Sequence, residues 1–339
     1  GDGEVAATTT NTAIDSGIKI IPNTTVSSAI TNEVAIDAAK EAYVALSEGN
    51  VISPVPVQLE FEGKGETCIK PGWVKGSKYY VVKVASGFPS NNLLNLPSGS
   101  GCVLVASAVT GRPCAIIDDK GYCTDIRTAA AAVLAGKTVR EKIAFGKGGG
   151  GGLKVGGAGV VARLITGMIM DVMEQGEIEE VRVWSRTKGN AEGMRDVVEV
   201  DKGVSLVVCD GCKEAVEGCD LVFTVTPSRV GLVENVDWLK GNAIVVAVGS
   251  DTPGKRELGV GVVDDIITHG TVISDTIPNV VKLGECQYLP PSLHNKIITF
   301  GDVLTGKVGV GEGRVLVDFT GVGAQDACIA GKVIEVLEE

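Results

Sequence analysis

Four charged residues stand where an opposite charge has to meet them. Lys83 falls inside the β-branched run Val81-Val82-Lys83-Val84, and Lys70 precedes Pro71-Gly72. Arg127 opens an Ala-rich stretch, and Asp251 follows the apolar run that ends at Val248. A charge in an apolar element costs free energy unless it is matched, so these residues are candidates for holding a small charged molecule; a structural ion pair is the competing reading. A His-centred mechanism is disfavoured, because the chain has two histidines, His269 and His294, and neither sits in a motif.

A second group could hold a dinucleotide. The segment Val155-Gly156-Gly157-Ala158-Gly159-Val160-Val161-Ala162 carries Gly-x-Gly-x-x-Ala at Gly157, Gly159 and Ala162, between a strand pattern and a helix pattern. In that context Gly157 allows a tight turn, Gly159 lets backbone N–H groups reach a pyrophosphate at the helix N-terminus, and Ala162 keeps helix and strand close. Gly157, Ala158, Gly159, Val160 and Val161 are therefore candidate cofactor contacts. The next strand ends Val183-Trp184-Ser185-Arg186-Thr187, without the acid that would bind a ribose 2′-hydroxyl. Arg186, with the hydroxyls of Ser185 and Thr187, suits a 2′-phosphate, which favours NADP(H) over NAD(H). Thr224, Thr226 and Pro227 at the carboxyl end of one later strand, and Val248, Gly249 and Ser250 at the end of another, are the remaining candidate cofactor contacts. A buried strand Thr and a solvated turn Arg are the bland alternatives.

The elements around these residues predict an α/β protein. From Leu153 onward, strand patterns at Leu153–Val155, Val181–Trp184, Ser205–Val208, Leu221–Thr226, Ala243–Val248 and Val272–Asp275 alternate with helices, the pattern of a Rossmann-type doubly wound parallel sheet. Before it lies an α+β unit. Thr31 caps a helix over Asn32–Ser47, strands run through Tyr79–Val84 and Cys102–Ala106, and a helix covers Thr128–Ala135. The run Gly148–Gly152 reads as a linker. Arg314–Phe319 and a helix over Gln325–Glu339 are expected to return to the first unit, giving one domain of residues 1–130 with 312–339 and a dinucleotide domain of 131–311.

Composition narrows the function. At 339 residues two domains are the natural expectation. A net charge of −11 with no basic stripe argues against nucleic acid and against an anionic membrane surface. No apolar run reaches the roughly 20 residues of a bilayer span, and Gly1 to Ser16 lacks a secretory pattern. Nine scattered cysteines suit reduced thiols in the cytoplasm, and the Cys209/Cys212 pair, with no second pair nearby, reads as strand and turn rather than as a metal site.

The order of these motifs resembles the ornithine cyclodeaminase and mu-crystallin family over nearly the full length. The resemblance rests on Lys83 with Gly87-Phe88-Pro89-Ser90-Asn91, Arg127-Thr128-Ala129-Ala130, Gly157-Ala158-Gly159 and Val181–Thr187 with Asn190-Ala191-Glu192. It rests equally on Val248-Gly249-Ser250-Asp251-Thr252-Pro253-Gly254-Lys255-Arg256-Glu257-Leu258 and Gly321–Asp326. What it implies is a homodimer whose first domain carries the dimer surface and the substrate pocket, with the Rossmann domain presenting a nicotinamide across the cleft. By the same resemblance Lys83 and Arg127 hold a substrate carboxylate, Lys83 also polarises the reacting carbon centre, and Asp251 acts on the nitrogen or on a water.

One departure matters. The family's Pro-x-Arg after the first helix is here Pro54-Val55-Pro56, so one carboxylate clamp is missing, while Lys70 stands where many members carry an apolar Met. Lys70 is thus a candidate substitute, as a point charge without the bidentate fork of Arg. The leading expectation is an NAD(P)H-dependent reductase or dehydrogenase acting on the C–N bond of a small imino or amino acid. A cyclodeaminase using NAD catalytically, and a non-enzymatic ligand-binding protein, are the alternatives.

Overall fold

The computed structural model describes residues 17–143, 153–159, 161–174, 176–196 and 203–338. Gly1–Ser16, the glycine run Gly148–Gly152 and Val160 lie outside the described residues.

The first half winds a mixed sheet. β1 (Lys19–Pro22), α1 (Asn23–Ala29) and α2 (Asn32–Ser47) precede β2 (Val51–Ile52), β3 (Val57–Phe61), β4 (Gly65–Val74), β5 (Tyr79–Gly87), β6 (Gly99–Ser107), β7 (Pro113–Asp118) and α3 (Tyr122–Lys142). The sheet order is β1-β7-β6-β5-β4-β2 with β3 on β4; only the β1–β7 pair is parallel. α2 forms where expected because Thr31 accepts the Val34 N–H at its start and Ala35, Ala38, Ala39 and Ala42 give it a smooth buried face.

The second half alternates strand and helix. β8 (Leu153–Gly159), α4 (Ala162–Val172), β9 (Ile178–Trp184), α5 (Lys188–Glu192), β10 (Ser205–Val208), α6 (Cys212–Val216), β11 (Leu221–Val225) and β12 (Ile244–Ala247) come first. They are followed by α7 (Val260–His269), β13 (Thr271–Ser274), α8 (Ile277–Leu283), β14 (Ile298–Thr299), α9 (Phe300–Leu304), β15 (Val315–Asp318) and α10 (Gly323–Glu338). The eight strands form a parallel sheet in the order β10-β9-β8-β11-β12-β15-β13-β14, the Rossmann-type arrangement that the alternation predicts.

Three features of the sequence reading need correction. The strand at 315–318 does not return to the first sheet. It inserts between β12 and β13, because Val315, Leu316 and Val317 are apolar on both faces and fully buried, as a central parallel strand requires. Only α10 crosses back, packing on α2, β4 and β5. The helix expected over Thr128–Ala135 is longer, starting at Tyr122: the buried Asp119 carboxylate accepts the Cys123 N–H (2.5 Å) and secures the first turn. Arg127 therefore sits in the second turn, and α3 runs unbroken past position 130, where a boundary was expected.

α3 joins the two sheets. It is buried almost all round from Ala129 to Ala135 and packs against α2, α4 and β12. At Gly136 a Cβ would lie 3.1 Å from Leu221 Cδ1 and 3.3 Å from Phe223 Cζ, so a small residue lets the helix press on β11. Tyr43, Phe300 and Phe319 complete the junction, with Tyr43 edge-on to Phe300 (centroids 4.8 Å) and stacked on Phe319 (5.2 Å).

Candidate active site

The strand order of the parallel sheet reverses between β8 and β11, which leaves a crevice at their carboxyl ends. A cleft of about 690 Å³, open mouth included, occupies that place. Val161, the residue that begins α4, lines it together with Val225, Thr226, Pro227, Val248 and Gly249. The close approach belongs to Gly156: a Cβ there would meet the Ala215 carbonyl oxygen at 2.3 Å, whereas one at Gly157 would make only ordinary contact with Phe223. Gly156, inside β8, is thus where the strand packs closely on α6.

Two of the expected cofactor contacts point elsewhere. Thr224 is buried and its hydroxyl donates to Glu257 Oε2 (2.8 Å); Ser250 is buried and donates to the carbonyls of Lys255 (2.7 Å) and Leu283 (3.3 Å). Both hydroxyls hold loops in place and neither residue lines the cleft. Ser185, Arg186 and Thr187 follow β9 at the sheet's carboxyl edge, with Arg186 exposed and no carboxylate within ion-pair distance of it among the described residues. The crevice at the reversal and the start of α4 fit the pyrophosphate of a dinucleotide; Ser185, Arg186 and Thr187 do not line the cleft.

The opposite wall carries the cations. Lys83 and Lys70 face one another across β5 and β4 in direct register, and both are buried. Lys83 Nζ lies 3.0 Å from Asp326 Oδ1, at the head of α10. Arg127 Nε lies 3.5 Å from the same oxygen and Nη1 donates to Gln325 Oε1 (3.3 Å). These are charge contacts rather than aligned hydrogen bonds: Arg127 Nε and both Asp326 oxygens are buried and complete no hydrogen bond among the described residues. Lys70 Nζ donates instead to the carbonyls of Thr320 (3.1 Å) and Gly321 (3.4 Å). Gly321, at φ 77°, is forced to be glycine, since a Cβ would come within 2.6 Å of Arg127 Nη1. Two cations thus share the Asp326 carboxylate, with Lys70 held on carbonyls beside them. Burial pushes the Lys83 ammonium down to about 8, with Asp326 opposing and Arg127 and Lys70 adding to the fall.

Of the three, Arg127 lines the cleft, while Lys70 and Lys83 lie behind it. The cleft therefore brings Arg127 together with the carboxyl edge of the parallel sheet, and Lys83 reaches it through Asp326.

Asp251 lies on the cleft wall beyond β12. Its Oδ1 is 3.0 Å from Lys255 Nζ and accepts the Thr252 hydroxyl (3.1 Å), and Lys255 also meets Glu66 Oε1 of β4 at 2.6 Å. Partial burial raises the Asp251 pKa, but Lys255 and Lys70 outweigh it and hold the carboxyl below its usual range. Asp251 is accordingly an anion at neutral pH, and Lys255 ties the two sheets together across the cleft.

Residues 19–339 match the model of the ornithine cyclodeaminase/mu-crystallin family. The chain belongs to this family. It is 29% identical over 315 residues to an uncharacterized cyclodeaminase of Sinorhizobium fredii, covering 90% of this chain and 91% of the relative. It is 28% identical over 224 residues to the ketimine reductase mu-crystallin of Mus musculus, covering 66% and 67%. Among solved structures, an archaeal alanine dehydrogenase dimer with bound NAD superposes with a TM-score of 0.81 at 26% identity, covering 95% and 96% of the two chains.

Within an ornithine cyclodeaminase/mu-crystallin fold, the departure at Pro54-Val55-Pro56 has a definite place. Ser53 accepts the Gly323 N–H (2.9 Å), which pins this segment to the head of α10, while Pro54 turns to an apolar groove with Pro71, Trp73 and Tyr80. Sequence reasoning did not assign roles to Asp326, Gln325, Lys255, Glu66 or Glu257. Asp326, Gln325, Lys255 and Glu257 lay inside the motifs that carried the resemblance; what could have singled them out is that each is an acid, amide or base in an apolar or glycine-rich run. Glu66 carried no such signal, because its partner is 189 residues away.

Proposed function

We propose that the chain is an NAD(P)H-dependent oxidoreductase that reduces the C=N bond of a small α-imino acid, or oxidises the matching amino acid. The observation that carries this reading is that one cleft is lined by Arg127, by Asp251 and by the carboxyl ends of β11 and β12. A nicotinamide dinucleotide, when bound, supplies the hydride. Gly157 to Val161 and the Thr226-Pro227 and Val248-Gly249 ends would hold it, and the exposed Arg186, beside Ser185 and Thr187 and without an ion-pair partner among the described residues, favours the 2′-phosphorylated form.

The chain's own groups do the rest. Arg127 donates its forked N–H groups to the substrate carboxylate, and Lys83 adds positive charge from behind, beside the shared Asp326. Lys70 supplies a third positive charge where the family's clamp arginine is absent. The Asp251 anion faces the protonated nitrogen and keeps it as an iminium, whose carbon is the electrophile. When the carbon takes up hydride, the C=N π pair becomes the nitrogen lone pair and the product amine needs no further proton. Fixing both partners in one cleft supplies much of the rate by orientation.

The similarity to a relative named a cyclodeaminase supports a second reading, in which an amino acid loses ammonia and the dinucleotide is regenerated within each turnover. One assay separates the two. Cyclic imino acids such as pyrroline-2-carboxylate are offered with NADPH and NADH, and ornithine with NAD⁺, while the nicotinamide absorbance and released ammonia are followed together. Net loss of the reduced band supports the reductase; ammonia without net cofactor change replaces it with the cyclodeaminase.

The same reading makes the protein a cytoplasmic homodimer. Ile52, Val57, Leu59 and Phe61 expose apolar surface on the first sheet beside the Trp73 groove, in keeping with the paired archaeal relative. Among the described residues no helix is long and apolar enough to cross a membrane.

A further inference from the structure

The Glu257 carboxylate lies wholly inside the protein, yet it touches both loops that form the floor of the cleft. Its Oε1 accepts the Thr226 N–H (2.5 Å) and the Thr226 hydroxyl (2.8 Å), and its Oε2 accepts the Gly249 N–H (2.8 Å) and the Thr224 hydroxyl (2.8 Å). Thr226 follows β11 and Gly249 follows β12, so one carboxylate joins the ends of two adjacent strands.

The packing around it leaves no slack. A Cβ at Gly249 would lie 2.2 Å from the Thr226 carbonyl oxygen and 2.7 Å from the Glu257 carboxyl carbon, so the glycine is what allows the contact. The backbone of Glu257 is itself fixed, its N–H donating to Glu285 Oε1 (2.7 Å) and its carbonyl accepting from Leu232 (2.6 Å) and Val233 (3.1 Å).

We infer that Glu257 is a positioning residue: as an ionised carboxylate it clamps the 224–226 and 248–249 strand ends in the spacing that a nicotinamide dinucleotide needs. Each of its oxygens faces one backbone N–H, a donor that cannot turn into an acceptor. A carboxylate accepts from both, whereas a carboxamide has a single carbonyl oxygen and must oppose one N–H with its own NH₂. Burial raises the Glu257 pKa, and the four donated hydrogen bonds pull it back. The effect on dinucleotide binding rests on the function proposed above; the clamp itself does not.

The test uses the full chain and the variant Glu257→Gln, read by amide hydrogen exchange and by fluorescence titration with NADH and NADPH. One broken charge-assisted contact is expected to speed exchange at Thr226 or Gly249 by about tenfold or more relative to Val245 in β12, and to weaken dinucleotide binding by about the same factor. A purely structural role would instead raise exchange across β11 and β12 together, which would overturn the inference. So would unchanged exchange at both amides with unchanged affinity. If Glu257→Gln does not fold, Glu257→Asp decides: one methylene shorter, the carboxylate cannot span both strand ends, and faster exchange at Thr226 or Gly249 but not at Val245 supports the clamp, while no change at either amide overturns it. If the unaltered chain binds neither NADH nor NADPH, the proposed function fails and the clamp is judged on exchange alone.

Discussion

Lys70 and Lys83 stand opposite one another on paired strands, and among the described residues only Lys83 meets a carboxylate. Lys70 rests on two backbone carbonyls, behind the cleft wall. Of the three cations Arg127 is the one on the cleft wall, and Asp326 offsets the repulsion between it and Lys83.

Lys83 gives this wall a pH limit. Its pKa of about 8 lies below the ordinary lysine value, so the ammonium is lost as pH rises through that point. We expect KM for a carboxylate substrate to rise several-fold between about pH 7 and pH 9 with kcat changing less, because the affected step is carboxylate binding. The linked stability runs the other way: the unfolded chain holds this proton more tightly, so Lys83 contributes a gain in stability as pH rises from its folded value toward the free lysine value. Initial-rate profiles and thermal melts over the same range check both signs; a flat KM would remove Lys83 from substrate binding.

Lys255 sets the acidic limit. Replacing it by Met takes away the cation that most lowers the Asp251 pKa, so Asp251 protonates at higher pH. The acid limb of kcat/KM should move up by about one pH unit within the acid range, with activity near pH 8 free of this effect. The parallel loss of the Glu66 contact predicts a lower melting temperature at every pH, which separates the two effects.

Arg186 tests cofactor choice. Arg186→Ala should raise KM for NADPH by about tenfold or more and leave KM for NADH nearly unchanged, since only the former carries the 2′-phosphate that a guanidinium would bind. Equal effects on the two cofactors would make Arg186 a solvated turn residue.

Asp318 is a stability switch away from the chemistry. It is fully buried at the end of β15, its Oδ2 accepts the Cys286 N–H (3.0 Å), and its Oδ1 has no hydrogen-bond partner among the described residues. Burial pushes its pKa up to about 7 against the pull of the 285–286 backbone. A raised folded pKa means stability present at low pH and lost as pH rises through 7. Asp318→Asn should therefore melt about 2–4 °C above the parent at pH 8 and close to it at pH 5, measured by calorimetry.

The alternating strands of the second half and the capped α2 could be read directly from sequence, because period and cap chemistry are local. Arg127 and Asp251 could also be picked out, since a charge in an apolar run announces a partner. The partners themselves were hidden: Asp326 lies more than two hundred residues from Lys83, and nothing local to either tells which carboxylate closes on which cation. The insertion of β15 was missed for the same reason. An apolar strand at the end of a chain fits either sheet, and the choice falls to packing on both faces. Thr224 and Ser250 looked like cofactor contacts because strand-end hydroxyls serve ligands and loops equally well.

Arg127 and Gly136 occupy the same unbroken helix, one beside the substrate wall and the other pressed on the floor of the parallel sheet. Between them the chain has no freedom of phase. Adding or deleting one residue there would turn the guanidinium by about 100° about the helix axis relative to the sheet. Family members that share this cleft should accordingly differ in length at their loops and hardly ever within these ten positions.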